Sequence, residues 1–478
     1  MKISLKIIGL VAGPIAFIII SQLSYLDSLS PQAWNVLGVG SWMVIWWVTE
    51  ATPMAVAALL PIVVFPALGI FDLAQATAPY ASPIIFLFMG GFFLALGLEE
   101  YGLHKRMALN LVKLTGTSAN GIIFGFMLAT GFLSMWISNT ASTIMMLPIA
   151  VTVINLIKQT VDNNKGLDLF SVSLMLGIAY AANIGGMATI IGTPPNVVFV
   201  GYAEQLLNIE IDFAKWMLIG VPISSILLLI TFLFLTKVLY RNKLGKMASV
   251  TRLIDTEVTN MGKMSREEKM VAIIFSITAS MWIFKMPINS LLGYPILNDT
   301  ATAMIGGILM FAVPVNLKTG KGLVPWKATQ RLPWGILLLF GGGMTLAKGM
   351  ETTGLINIIA DLVAQNPMST LLVYLILIGS MLFFTELMSN VALATLYIPV
   401  VIGIANGLGM NALLLAIPVA MAASCAFMMP ISTPPNAIVF SSGHIRIKQM
   451  VKTGFVLNII AIIILVLASF TIIQWVFG

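Results

Sequence analysis

Charge is what this sequence has least of. Lys, Arg, Asp and Glu make up 9% of its 478 residues, against about 25% in an ordinary soluble domain. That shortage excludes a water-facing exterior, and lipid must cover most of the surface instead. Cysteine is nearly missing. Cys425 stands alone, which excludes an internal disulfide and reads as a small buried helix residue. Histidine is scarce too. His104 and His444 each sit beside lysine or arginine at helix ends, as interfacial residues rather than metal ligands. The apolar stretches hold no His-Glu pair at metal spacing, no Asp pair with glycine neighbours and no Ser-His combination. An intramembrane enzyme is left without a catalytic group, and no metal cofactor or organic cofactor is implied.

What is abundant is apolar sequence, 59% of the chain. Runs such as 216–235 and 459–476 are long enough to cross a bilayer, which takes about 20 mostly apolar residues, and 7–20 is the apolar core of a further one. Two lysines precede the first run, as in a signal peptide, but no small-residue cleavage site stands out, so it reads as a retained helix. The fold class is an all-α polytopic membrane protein. Eleven spans are expected near 6–24, 35–48, 53–72, 83–101, 171–205, 213–237, 268–287, 299–316, 333–351, 411–442 and 452–477. Two further apolar hairpins are expected over 119–157 and 369–405.

The basic residues test that count, since Lys/Arg bias in short loops sets orientation. With the N-terminus cytoplasmic and each span crossed once, the cytoplasmic segments collect Lys2, Lys6, Lys105, Arg106, Lys113, Lys158 and Lys165. They also hold those from Lys237 through Lys269, those from Lys318 through Arg331, and Arg446, Lys448 and Lys452. Only Lys215, Lys285 and Lys348 fall elsewhere, leaving 22 of 25 on one side. External loops carry Asp27, Asp72, Glu204, Glu210, Asp212 and Asp361 instead. The C-terminus is then external, in a multi-pass cell-membrane protein. The +7 formal charge follows from this spread over loops and is no sign of a nucleic-acid partner. The first hairpin opens to the cytoplasm and the second to the outside, the mark of an inverted repeat.

The chain repeats itself. Gly90, Gly91, Leu94, Ala95, Gly97, Glu99 and Gly102 match Gly342, Gly343, Leu346, Ala347, Gly349, Glu351 and Gly354. Ser138-Asn139-Thr140-Ala141 matches Ser389-Asn390-Val391-Ala392, with Pro148 matching Pro399. Thr193-Pro194-Pro195-Asn196 matches Thr433-Pro434-Pro435-Asn436. Three ordered blocks define two halves. A first helix and external loop occupy 1–34. The first repeat spans 35–240, a basic cytoplasmic linker 241–269, and the second repeat 270–478.

Ser138-Asn139 lies midway along an uncharged stretch, where a re-entrant hairpin would place it at a tip near mid-membrane. Two full spans with a tight external turn fit the same length. A lone Ser-Asn in a membrane helix is often an interhelical hydrogen bond, and a lone Pro often a kink. Duplicated together in the same order, they point to discontinuous helices around a transport site. A helix broken by Pro-Pro frees carbonyls for a cation such as Na⁺ and exposes a positive helix end to an anion. No Lys, Arg or His lies in these motifs, so amides, hydroxyls and helix ends would hold the anion while bound cations neutralise it, and cations bind first. Among the acidic residues, Glu50, Glu99 and Glu351 sit at helix ends. Glu386, three residues before Ser389, is placed to take a proton, orient Asn390 or pair across the domain.

At these residues the chain resembles the divalent anion/sodium symporter family, which carries dicarboxylates, citrate or sulfate. The likeness covers essentially the whole chain. It implies a homodimer with a scaffold domain and a transport domain that moves like an elevator. It implies one sodium site at Ser134, Ser138, Asn139 and Gly192, and a second at Thr385, Ser389, Asn390 and Ser432. It places substrate carboxylates against Asn139, Thr140, Thr193, Pro194, Asn390, Val391, Thr433 and Pro434. Val391 departs from the pattern, since a threonine there would mirror Thr140. The expected activity is sodium-coupled import of a C4 dicarboxylate such as succinate, malate or fumarate. A citrate or dicarboxylate exchanger, a proton-coupled carrier and a sulfate transporter are the alternatives. A channel fits duplicated half-helices less well than alternating access does.

Overall fold

The computed structural model describes residues 4–23, 29–160, 164–318, 320–365 and 368–478. Lys2 and Asp27, which entered the charge count, and the end of the first expected span lie outside them. Within hydrocarbon a backbone must satisfy its own polar groups, which an α-helix does within one segment. The described residues are accordingly helical, apart from one two-stranded ribbon, Pro314–Asn316 with Lys321–Gly322.

One succession of elements occurs twice. A long helix, Pro83–Glu100, is followed by a short one, Leu103–Leu114. Then come a first hairpin with arms Ala119–Ser134 and Asn139–Thr160, a first broken helix, Asn164–Gly186 and Pro194–Leu207, and a long helix, Phe213–Leu233. The order returns in Trp334–Thr352 and Leu355–Ala364. It continues with a second hairpin, Thr370–Phe384 and Asn390–Gly407, a second broken helix, Ala412–Ala422 and Pro434–Ser441, and Ile447–Ser469. The matched glycines have a mechanical reason. Gly102 and Gly354 turn each long helix into its short neighbour at φ 69° and 75°, a conformation open to glycine without strain.

The expected eleven spans resolve differently. Among the described residues six helices are long and apolar enough to cross a bilayer, or seven if the pair Arg266–Ile283 and Lys285–Leu292, bent by 72°, counts as one. The expected span 171–205 is two helices, as is 411–442, and 53–72 consists of Met54–Ala57 and Leu60–Ala67. Hydropathy averages across such breaks and counts a continuous apolar run where the backbone is interrupted. The linker 241–269 is not all coil, since it contains the helix Ala248–Asn260.

The column around which the rest packs is Asn164–Gly186, 89% of whose apolar window is buried, against 39–72% for the other long helices. The first arm of the first hairpin lies along it. The half-helices beyond the breaks cross over. Pro434–Ser441 packs on Asn139–Thr160, and Pro194–Leu207 packs on Asn390–Gly407. Each therefore leans on the hairpin of the other half.

The three basic residues that escaped the cytoplasmic count are all engaged. Lys348 stands over the Phe71 ring at 5.9 Å, and Lys215 lies 3.9 Å from Asp212. Lys285 is enclosed by Asp212, by Asp299 at 3.3 Å and by Glu210 at 3.3 Å. Asp299 also accepts from the Phe213 N–H at 2.9 Å, and the Phe213 ring stacks on Trp282 at 4.6 Å. On the side assigned to the cytoplasm, Arg106 forks onto Glu268 at 2.5 and 3.1 Å, and Lys105 and Lys113 reach Glu257 and Asp255. These pairs tie the short helix 103–114 to the linker. Burial pushes the neighbouring His104 below the usual histidine range. Its Nδ1 lies 2.8 Å from Leu98 O.

Lys285 yields a stability prediction. Its side chain and those of Asp212 and Asp299 are 6%, 13% and 10% exposed. Lys285→Met leaves two carboxylates facing each other out of water and should lower stability by about 3 kcal/mol. The measurement is thermal denaturation of the solubilised protein, and adding Asp299→Asn should recover part of the loss. An unchanged midpoint in Lys285→Met would contradict a buried, obligatory pair.

Candidate substrate and cation site

The serines of the duplicated motifs are helix caps. Ser138 Oγ accepts from Ala141 N at 3.1 Å, and Ser389 Oγ accepts from Ala392 N at 3.5 Å. Each therefore starts the second arm of its hairpin, as a serine N-cap does. Asn139 and Thr140, like Asn390 and Val391, occupy the first two positions of those arms. At such positions the backbone N–H groups have no partner within the helix and the dipole is positive, which suits an anion.

The proline pairs sit differently from the sequence expectation. They do not interrupt a helix where they stand. Pro194-Pro195 and Pro434-Pro435 open the half-helices beyond the breaks, where a missing N–H does no harm. The unwound segments precede them, 187–193 and 423–433. Two consecutive prolines also remove two donors from those helix starts. Pro194 and Pro434 can offer a ligand only ring surface and a carbonyl.

Each break is stapled by the asparagine of its motif. Asn196 Nδ2 reaches Thr189 O at 2.8 Å, Met187 O at 3.3 Å and Gly186 O at 3.4 Å. Asn436 Nδ2 reaches Ala426 O at 3.0 Å, Met429 O at 3.1 Å and Ser432 Oγ at 3.1 Å. Both asparagines are fully buried. Through their Nδ2 groups they hold the unwound carbonyls in place.

Around the first break, oxygens converge. The Asn139 side chain points between Ser134, Ala182 and Gly192. Turned with its nitrogen toward them, the amide donates to Ser134 Oγ at 2.5 Å, Ala182 O at 3.1 Å and Gly192 O at 3.3 Å. Turned the other way, its oxygen meets only oxygens, and Oδ1 stays within 2.5 Å of Ser134 Oγ. In that orientation the Ser134 hydroxyl donates to Oδ1, and the carbonyl, hydroxyl and amide oxygens gathered here are of the donor type that a hard cation takes. The space is glycine-lined. A methyl at Gly186 would stand 2.6 Å from Asn139 Oδ1 and 3.1 Å from Gly192 O, and one at Gly192 would stand 2.9 Å from Ser134 O. These residues fit sodium. Thr189 ties the wall together, since its hydroxyl donates to Met135 O at 2.6 Å and accepts from Gly192 N at 3.0 Å.

The second break is built on a charge. Glu386 Oε1 accepts from Phe427 N at 2.7 Å, Met428 N at 2.9 Å and Asn458 Nδ2 at 2.9 Å, and Oε2 accepts from Met429 N at 3.2 Å. These bonds make Glu386 a clamp on the unwound segment. Thr385 donates to Ala423 O at 3.0 Å, where the break begins, and Ser432 donates to Met429 O at 2.7 Å near its end. Thr385 and Ser432 are buried, while Ser389 and Asn390 are half-buried.

The two breaks touch. Thr193 Oγ1 lies 3.3 Å from Ser424 Oγ. Asn183 Nδ2 donates to Thr433 Oγ1 at 3.1 Å and to Ala426 O at 3.2 Å. Thr193 and Thr433 are buried, Thr140 and Pro194 half-buried, and Ser138 and Pro434 exposed. Sequence reasoning missed Asn183, Thr189, Ser424 and Asn458. The signal for Asn183 was a lone amide in an otherwise apolar helix. Its counterpart in the other half is Ala423, so the repeat gave no second copy to notice.

The family described as the sodium:sulfate symporter transmembrane region matches residues 4–478. A sodium-dependent dicarboxylate transporter, SdcS, of Staphylococcus saprophyticus is 38% identical over 482 residues, covering 99% of this chain and 92% of the relative. The protein of the same name from Staphylococcus aureus strain MRSA252 is 40% identical over 484 residues, with the same coverage. Among solved structures, MtrF of Neisseria gonorrhoeae, placed in a class of antimetabolite efflux pumps, is similar at a TM-score of 0.51. It covers 83% of each chain at 11% identity, a likeness of fold alone.

Proposed function

The chain belongs to the sodium:sulfate symporter family, and from that membership we propose that it is a sodium-coupled importer of a divalent organic anion, a C4 dicarboxylate such as succinate, malate or fumarate. The family is one of membrane transporters, not enzymes. The relatives named as sodium-dependent dicarboxylate transporters support the substrate class. The observation that carries the reading is the all-oxygen surround of the Asn139 amide, with a helix start beside it.

In this reading one sodium ion sits among Ser134, Ser138, Asn139 and Gly192, and a second among Thr385, Ser389, Asn390 and Ser432. The carboxylates meet the second-arm starts at Asn139, Thr140, Asn390 and Val391, and the half-helix starts at Thr193, Pro194, Thr433 and Pro434. Sodium binds first, because uncompensated carbonyl oxygens repel a dianion. Val391 supplies no hydroxyl where Thr140 does, so the two carboxylates are held unequally. The hairpins and broken helices form a transport domain that moves like an elevator against a scaffold, in an inverted-repeat homodimer with a cytoplasmic N-terminus and an external C-terminus. Glu386 is surrounded by N–H donors, which favours sodium over a proton carried on that group.

The test is uptake of labelled succinate, citrate and sulfate into proteoliposomes with and without sodium. Succinate uptake should require sodium and resist competition by sulfate. Sodium-independent uptake with unchanged affinity would overturn the coupling, and preferred uptake of sulfate or citrate would overturn the substrate class.

A further inference from the structure

We infer that Asn183 is a positioning residue that commits the Thr433 hydroxyl to donate its proton to a substrate carboxylate. The inference rests on the proposed dicarboxylate site and adds a residue and a direction of hydrogen bonding to it. Asn183 is 1% exposed and Thr433 is 3% exposed.

The orientation of the Asn183 amide is settled by its neighbours. Its nitrogen faces Ala426 O at 3.2 Å. A carbonyl oxygen only accepts, so the end facing it must be the NH₂ group. That same nitrogen lies 3.1 Å from Thr433 Oγ1, which must therefore accept from it. Thr433 Oγ1 also accepts from Asn436 N at 3.4 Å, as the cap of Pro434–Ser441. A hydroxyl has two lone pairs and one proton. With both lone pairs turned to N–H groups, the proton points away from both. The cap of the second half-helix is thereby a fixed donor.

Its twin is not. Thr193 does not cap its own half-helix with its side chain, and its hydroxyl faces Ser424 Oγ, where either atom can donate. The difference traces to the repeat. Asn183 is replaced by Ala423 in the second half, so Thr193 has no amide to fix it. The second half lacks a hydroxyl at Val391, and the first half contributes Asn183 to set the hydroxyl that remains at Thr433. One carboxylate of the substrate thus meets a committed donor.

A double-mutant cycle in proteoliposomes tests this. The readings are the succinate KM at saturating sodium and, as a check on folding, the sodium-dependent shift in thermal denaturation without substrate. Thr433→Ala should raise the succinate KM about tenfold, the scale of one hydrogen bond to a charged group. Asn183→Ala should raise it comparably, and the double variant should be no worse than Thr433→Ala alone. In a Thr433→Ser background, which keeps the hydroxyl, Asn183→Ala should still raise the KM. If Asn183→Ala loses the sodium-dependent shift, Asn183→Ser, too short to reach Thr433, takes its place in the cycle. Effects that multiply in the double variant would overturn the inference while leaving the site reading intact. A Thr433→Ala variant with an unchanged KM would overturn the site reading and the inference together.

Discussion

Gly192→Ala should weaken sodium activation of uptake about a hundredfold, on the scale of losing groups that orient a metal site. The added methyl would stand 2.5 Å from Gly186 O and 2.9 Å from Ser134 O. Both obstacles are backbone atoms, so neither can swing aside as a side chain would. Ser134 and Gly192 belong to the ring of oxygens around the Asn139 amide. Relieving the clash therefore moves the donors themselves. Gly379→Ala is the matched control, since its methyl would meet only Ile462 Cδ1 at 3.8 Å. Sodium titrations of succinate uptake, paired with sodium-dependent thermal shifts, give the answer. A folded Gly192→Ala protein with an ordinary sodium response would mean that the cation binds elsewhere.

Loss of Glu386 should be the most damaging change to the fold. Glu386→Ala strands the N–H groups of Phe427, Met428 and Met429 and the amide of Asn458, all gathered on one carboxylate that is 3% exposed. A buried donor left without a partner costs about 1–3 kcal/mol. The combined loss is on the order of 5 kcal/mol, a large part of a typical domain's stability. Glu386→Gln keeps one acceptor oxygen and should lose about 1–2 kcal/mol. The two variants also separate clamp from proton carrier. A clamp predicts that Glu386→Gln retains sodium-driven uptake with an unaltered pH profile. Loss of all coupled uptake in a stably folded Glu386→Gln protein would restore the proton-carrier reading, and a wild-type melting midpoint in Glu386→Ala would remove the clamp.

How much of this was legible in the sequence differs from feature to feature. The hairpin turns at 135–138 and 385–389 could be located because polar residues interrupt apolar runs at matched places, while the breaks were expected at the proline pairs and lie just before them. Span count was less legible. A short helix such as Leu103–Leu114 has a polar and an apolar face that cancel in a hydropathy average, and broken helices read as whole ones. The site was legible where it is duplicated and hidden where it is not. Asn196 and Asn436 were visible as motif letters, but their work as staples on the preceding carbonyls needed the coordinates. Asn183 meets a partner 250 residues away, and no local pattern marks a single amide for such a contact. Glu386 stood out as a buried charge, but its donors are backbone N–H groups, which carry no sequence signature.

The crossing of the half-helices has a consequence for biosynthesis. A ribosome delivers the chain from the N-terminus, and Asn139–Thr160 enters the membrane long before Pro434–Ser441, the segment it packs on, exists. Asn183 likewise waits for Ala426 and Thr433. Closing contacts across such separations is slow compared with local helix formation. During translation the first hairpin is an unfinished surface, with the face that packs on Pro434–Ser441 still uncovered. Assembly of the whole site is therefore a late event, completed only when nearly the whole polypeptide has been inserted, although the oxygens around the Asn139 amide all belong to residues 134–192 and are delivered early.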